Sequence, residues 1–115
     1  MTIRLSRVHG VHKPGQMNKL EASYAMELEV RKRAGEIVNY WFEAITLKLA
    51  PDTRYTPDFA VLMADYTMEL HETKGFFRDD AKVKLKIAAE KFPFKFVLVQ
   101  SVAKKHGGGW AIKEF

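Results

Sequence analysis

Cysteine is absent from the 115 residues. No disulfide framework, zinc–thiolate site or thiol nucleophile can be built from this chain. Long apolar runs are missing too, and none approaches the roughly 20 residues that span a bilayer. The N-terminus has basic residues with no apolar h-region, so no secretory signal is visible. These absences fit a reducing, cytoplasmic setting. No internal repeat occurs, and no low-complexity tract beyond Gly107–Gly109. That triplet lacks the Lys-Ser/Thr of a P-loop and precedes no helix, which argues against a nucleotide site. There is no Gly-x-Ser-x-Gly elbow for a serine nucleophile.

What is present suffices for one domain with a real core, since 47% of residues are apolar and 12% aromatic. A domain this small is a candidate for homodimerisation. Lys and Arg outnumber Asp and Glu by 19 to 14, a formal charge of +5. That balance favours a polyanionic partner, nucleic acid before membrane.

Residues 1–17 hold Arg4, Arg7, Lys13 and the pair His9 and His12 among the breakers Gly10, Pro14 and Gly15. They read as a flexible basic arm ahead of a domain over 18–115. Asn18 with Glu21 three residues on is a capping-box signature, and a helix is expected from there to Ala34, stopped by Gly35. Leu20, Tyr24 and Leu28 recur at helical spacing and should face the core, with Glu21 at the edge of their stripe. Residues 36–50 are β-branched and aromatic, which predicts two short strands kinked near Glu43–Ala44, with Trp41 and Phe42 in the core. Residues 50–57 read as a turn. A second helix should start at Asp79–Asp80 and end at Pro93, with Ala81, Leu85, Ala88 and Phe92 on one face. Val83 and Ile87 fall outside that stripe, as a second apolar contact or a dimer surface. Residues 95–102 should form a buried strand, 104–109 a mobile basic loop and 110–115 a short final strand.

The chain is organised around residues 55–75, which read as two strands joined by a turn. Ala60 and Leu62 share one face with Asp58, and Met68 and Leu70 share one with Glu72 and Lys74. The opposite face of the second strand, with Thr67, Glu69, His71 and Thr73, is polar throughout, and His71 is expected to be structural. With a turn at Ala64–Asp65–Tyr66, opposed residues have numbers summing to 130. Leu62 then faces Met68, Ala60 faces Leu70, and Asp58 faces Glu72. Directly opposed Cβ atoms lie about 4.5–5.5 Å apart. Two carboxylates at that spacing repel unless one is neutral or a cation lies between them.

Pro57-Asp58, then 13 residues, then Glu72-Thr73-Lys74, in the order helix, extended segment, hairpin, helix, strand, resembles the PD-(D/E)XK nuclease superfamily. The stretches Tyr55–Phe59 and His71–Gly75, followed by the Lys-rich residues 80–92, resemble a phage-encoded family within it. The resemblance covers roughly residues 18–102 and extends to small Holliday-junction resolvases, which carry a further glutamate in the first helix. Glu21 is the position that matches, with Glu27 as its rival. Pro51-Asp52 and Asp80-Ala81-Lys82 mimic halves of the motif without its strand context.

The resemblance implies an α/β fold with a restriction-endonuclease-like core, a mixed central sheet flanked by helices in the order α-β-β-β-α-β. It implies a metal-dependent endodeoxyribonuclease, structure-specific for junction or branched DNA in phage-type recombination, acting as a homodimer. A non-catalytic nucleic-acid-binding module that keeps the core is the alternative. Asp58, Glu72, the Thr73 carbonyl and Glu21 are hard oxygen donors suited to Mg²⁺ or Mn²⁺. Lys74 would orient the attacking water or stabilise charge at the phosphate. Arg78, Lys82, Lys84 and Lys86 are candidate phosphate contacts. Glu43 could reach the site if the first strand lies alongside.

Overall fold

The computed structural model describes residues 15–74 and 79–115. The basic arm up to residue 14, Gly75 and Arg78 lie outside them. The chain folds as α1 (Lys19–Arg33), β1 (Ile37–Phe42), β2 (Leu47–Ala50), β3 (Thr53–Tyr55), β4 (Phe59–Met63), β5 (Met68–Lys74), α2 (Asp79–Lys91), β6 (Lys95–Ser101), a short 3₁₀ turn (Lys104–His106) and β7 (Trp110–Glu114). Five strands form one mixed sheet in the order β1-β4-β5-β6-β7, and β2 with β3 forms a separate hairpin. Every pairing in the sheet is antiparallel except that of β5 with β6, the two strands joined through α2. The expected α/β class with a mixed central sheet is found. The final strand expected over 110–115 is found as β7, and the expected elements are joined by β3 and the 3₁₀ turn. No helix among the described residues is long and apolar enough to cross a membrane.

The first helix begins and ends as its sequence dictates. Asn18 Oδ1 accepts from the Glu21 N–H at 2.8 Å, and Glu21 Oε1 accepts from the Asn18 N–H at 2.8 Å. This reciprocal pair satisfies two otherwise orphan donors. At the other end Gly35 takes φ 81°. Its N–H reaches Lys32 O and the Glu36 N–H reaches Arg31 O, the paired closure that a left-handed residue makes possible.

The central hairpin has the expected register. Leu62 pairs with Met68, Ala60 with Leu70, and Phe59 with His71. The turn is Ala64–Asp65–Tyr66, with Tyr66 at φ 67° and both Met63–Thr67 and Tyr66–Met63 backbone bonds at 2.8 Å. A left-handed third residue is the usual way to close a three-residue hairpin.

Both faces of the central strands β4, β5 and β6 are largely buried. On one, Tyr24 and Leu28 of α1 pack on Phe59, Val61, Val97 and Val99. On the other, Leu85 and Ala88 of α2 and the β2–β3 hairpin pack on Ala60, Leu70, Phe96 and Leu98. Unbroken apolar runs such as residues 59–61 and 96–99 are what a sheet covered on two sides requires. It follows that apolar alternation cannot hold this register, because a one-residue slip would still place apolar side chains on each face. The turn and the polar groups at the strand ends hold it instead.

Four expectations need correction. Residues 50–57 are not simply a turn, because Thr53–Tyr55 pairs back on β2 around Asp52 at φ 61°. The face with Glu69, His71 and Thr73 is not solvated, because α1 covers it and His71 is buried. Trp41 is 41% exposed rather than core. It lies on an edge strand, and α2 packs over β2 and β6 instead. Leu20 is half-buried, while Glu21, at the edge of the same stripe, is buried. The kink between β1 and β2 falls as expected at Glu43, which takes φ 49°. Val83 and Ile87 are exposed on α2, so no second apolar contact covers them among the described residues.

Candidate active site

The β4–β5 ladder stops at Phe59–His71, and side chains take over where it ends. The Thr73 N–H and Oγ1 both donate to Asp58 Oδ2, at 2.9 and 2.7 Å. In return the Asp58 N–H donates to Glu72 Oε1 at 3.3 Å, and the Tyr55 hydroxyl donates to the same oxygen at 2.9 Å. Each carboxylate therefore binds the backbone N–H on the strand opposite its own. This keeps the strand ends satisfied without a regular backbone bond.

Asp58 and Glu72 are brought together as expected, though not on one face. The Asp58 carboxylate is tied to Thr73, which shares the α1 side with His71, whereas Glu72 reaches Tyr55 on the α2 side. Asp58 precedes the paired part of β4, so the pleat does not dictate where its side chain points. The site straddles the end of the sheet.

Its electrostatics are those of crowded acids. Burial pushes the Asp58 carboxyl up to about 6, the Glu21 carboxylate adds to this, the two Thr73 hydrogen bonds oppose it, and Glu43 raises it further. Glu72 is driven well above the ordinary carboxylate range, first by loss of water and then by the Asp58 charge. The Tyr55 hydroxyl, the Asp58 N–H and the Lys74 ammonium pull it back.

Glu21 takes the capping role that its position predicts. It closes the capping box and is also the strongest neighbouring charge on Asp58. Glu27 instead pairs with Arg31 at 2.9 Å. Glu43, whose register the sequence left open, is placed by its own N–H, which donates to Asp58 O at 2.8 Å, while its Oε1 accepts from the Gly15 N–H at 3.0 Å. Tyr55 is a site residue to which the sequence by itself assigns no role. The signal available was its place three residues before Asp58 in the same strand-and-turn unit.

The lysines of α2 fan out. Lys84 reaches the Arg54 carbonyl at 3.5 Å, Lys82 faces β6 and β7 beside Gln100 and Ile112, and Lys86 is exposed. Beside the acids lies a second polar group. Tyr24 OH and His71 Nδ1 are 2.6 Å apart, and His71 Nε2 and Glu69 Oε1 are 2.9 Å apart. Burial raises the Tyr24 hydroxyl far above its ordinary range, so it stays protonated and can donate to Nδ1. A neutral His71 with its proton on Nε2, donating to Glu69, then satisfies every atom.

Among the described residues no group of three His, Asp or Glu stands at metal-ligating spacing. The donor set still has the chemistry of a hard-cation site. Asp58 Oδ1 and Glu72 Oε2 receive no hydrogen bond from the described residues, and the crowded charges are what a dication would neutralise. No family model, curated protein or solved structure matches this chain.

Proposed function

We propose that this chain is a metal-dependent endodeoxyribonuclease of the PD-(D/E)XK type, cutting phosphodiester bonds in junction or branched DNA. The observation that carries the reading is the Asp58–Thr73–Glu72 exchange at the end of the β4–β5 hairpin. It gathers two mutually repelling carboxylates beside Lys74, in a sheet whose next strand returns parallel through a helix. Crowding carboxylates away from water costs stability unless hydrogen bonds or a cation offset it. The α-β-β-β-α-β core with its mixed sheet is the arrangement that the motif implies.

Asp58, Glu72 and the Thr73 carbonyl would hold the ion, with Glu21 beside them. A bound Mg²⁺ or Mn²⁺ supplies charge neutralisation at the phosphate and an acidified water. Thr73 keeps the Asp58 carboxylate aimed through two hydrogen bonds, and Tyr55 does the same for Glu72. Lys74 adds a positive charge that acts on Glu72, which suits it to orient the water and stabilise phosphate charge.

A second reading, a nucleic-acid-binding module without catalysis, draws on the hydrogen bonds that already occupy Asp58 Oδ2 and Glu72 Oε1. Cleavage of plasmid, linear, flapped and four-way-junction DNA with Mg²⁺ or Mn²⁺ separates the two. Asp58→Asn and EDTA should abolish cutting. Cutting by Asp58→Asn at the wild-type rate would sink the nuclease reading, and binding without cleavage would favour the module.

A further inference from the structure

We propose that the connection between β6 and β7, Lys104 to Gly109, is a second contact for the phosphate backbone of the nucleic acid bound at the carboxylate site. The proposal takes its substrate class from the function proposed above. Three observations carry it.

The first is charge. From Ser101 to Lys113 the chain has no acidic residue and holds Lys104, Lys105, His106 and Lys113. The side chains of residues 104–106 are exposed, and Lys95, whose ammonium pairs with Glu69 and Glu114, belongs to the opposite end of β6. Loop cations so placed can face a phosphate chain.

The second is position. Lys74 of β5 pairs in parallel register with Gln100 of β6, so the two lie on adjacent strands, about 4.8 Å apart. The chain leaves β6 one residue later, at the end of the sheet that carries the acids. It returns at Trp110, which pairs with Ser101 and sets its ring 5.0 Å from that of Tyr24. Tyr24 stands three residues after Glu21 on α1. Both roots of the loop are thus anchored to elements that build the carboxylate site, so Lys104 and Lys105 are offered to phosphates neighbouring one held there.

The third is shape. The loop is held by its own backbone, through His106 and Gly108 N–H to Ala103 O, Gly107 N–H to Lys104 O, and Val102 N–H to Gly109 O. A turn organised in advance loses less freedom when its lysines bind. Gly107, Gly108 and Gly109 all take positive φ, and a Cβ built on any of them meets nothing within 4 Å. Backbone conformation rather than internal packing asks for glycine, and the resulting bare surface lets a sugar-phosphate chain come close. Lysine ammonium groups that meet phosphates carry no base information, so the binding is sequence-independent.

The test is fluorescence anisotropy with a labelled duplex of arbitrary sequence and a four-way junction, in EDTA so that nothing is cut, across about 50 to 200 mM salt. Lys104→Ala/Lys105→Ala is compared with Lys32→Ala/Arg33→Ala, an equal charge loss in the last turn of α1. The loop variant should weaken binding several-fold more than the control. Its plot of log affinity against log salt should flatten by about 2, because each phosphate no longer neutralised removes roughly 0.9 from the slope. Lys104→Arg/Lys105→Arg should keep the wild-type slope. A loop variant that binds like the control, or a wild type that binds neither DNA, overturns the proposal. A flattened slope in the loop variant, beside a wild type that cuts nothing in Mg²⁺, upholds the loop and removes the nuclease reading alone.

Discussion

Thr73 donates twice to one oxygen of Asp58, through its N–H at 2.9 Å and its hydroxyl at 2.7 Å. The backbone donor is independent of residue type, and the hydroxyl is not. Thr73→Val keeps the shape and the first bond and deletes the second. Losing a buried hydrogen bond to a carboxylate costs about 1–3 kcal/mol. The variant should unfold at lower urea concentration with an unchanged m-value, and its Asp58 carboxyl should titrate above the wild-type value by carbonyl NMR. An unchanged titration would mean that the hydroxyl does not support the carboxylate.

The acids should make this fold less stable as pH rises through weak acidity. The Asp58 carboxyl goes from an ordinary 3.8 to about 6 on folding, and Glu72 moves in the same direction. Between about pH 4 and 6 the folded chain therefore holds more protons than the unfolded one, and stability falls with increasing pH. Asp58→Asn removes the ionisation and can still accept from Thr73. At pH 7.5, without divalent ions, it should be more stable than wild type by on the order of 2 kcal/mol, a gain that vanishes near pH 4. Urea titrations at several pH values check this, and a difference that does not vary with pH counts against it.

Divalent ions should reverse that order. A ligand that binds only the folded chain stabilises it by about 2.7 kcal/mol at a hundredfold excess over its dissociation constant. Mg²⁺ or Mn²⁺ should raise the wild-type Tm at pH 7.5, EDTA should return it, and Asp58→Asn should not respond. Equal shifts in both proteins would indicate nonspecific ion effects.

Tyr24→Phe probes the link between α1 and β5. It leaves His71 Nδ1 buried without its partner 2.6 Å away, at a cost of about 1–3 kcal/mol. The loss should appear as a lower urea midpoint. A variant as stable as wild type would show that the ring finds another partner.

Gly35→Ala tests the end of α1. At φ 81° a Cβ meets no neighbour within 4 Å, so the cost is conformational alone, about 1 kcal/mol. Gly35→Asn should cost less, since asparagine tolerates the left-handed region.

Much of this fold is written locally, and those parts were readable. Asn18, Glu21 and Gly35 bound α1 because caps and left-handed stops act within a few residues. Ala64–Tyr66 sets the hairpin register because a three-residue turn admits one pairing, and that pairing brings Asp58 to Glu72. The chain order alone could not tell that the face with Glu69, His71 and Thr73 lies under α1, since they look solvent-facing until Tyr24 is seen to bond His71, His71 to bond Glu69, and Thr73 to bond Asp58. Nor could it place Glu43, whose approach to Asp58 depends on β1 lying beside β4, or give Tyr55 its hold on Glu72 across a separate hairpin. Local chemistry determined where elements begin, end and turn. Tertiary packing decided which polar groups meet, because burial, rather than residue type, turns an exposed charge into one that must be answered by a partner.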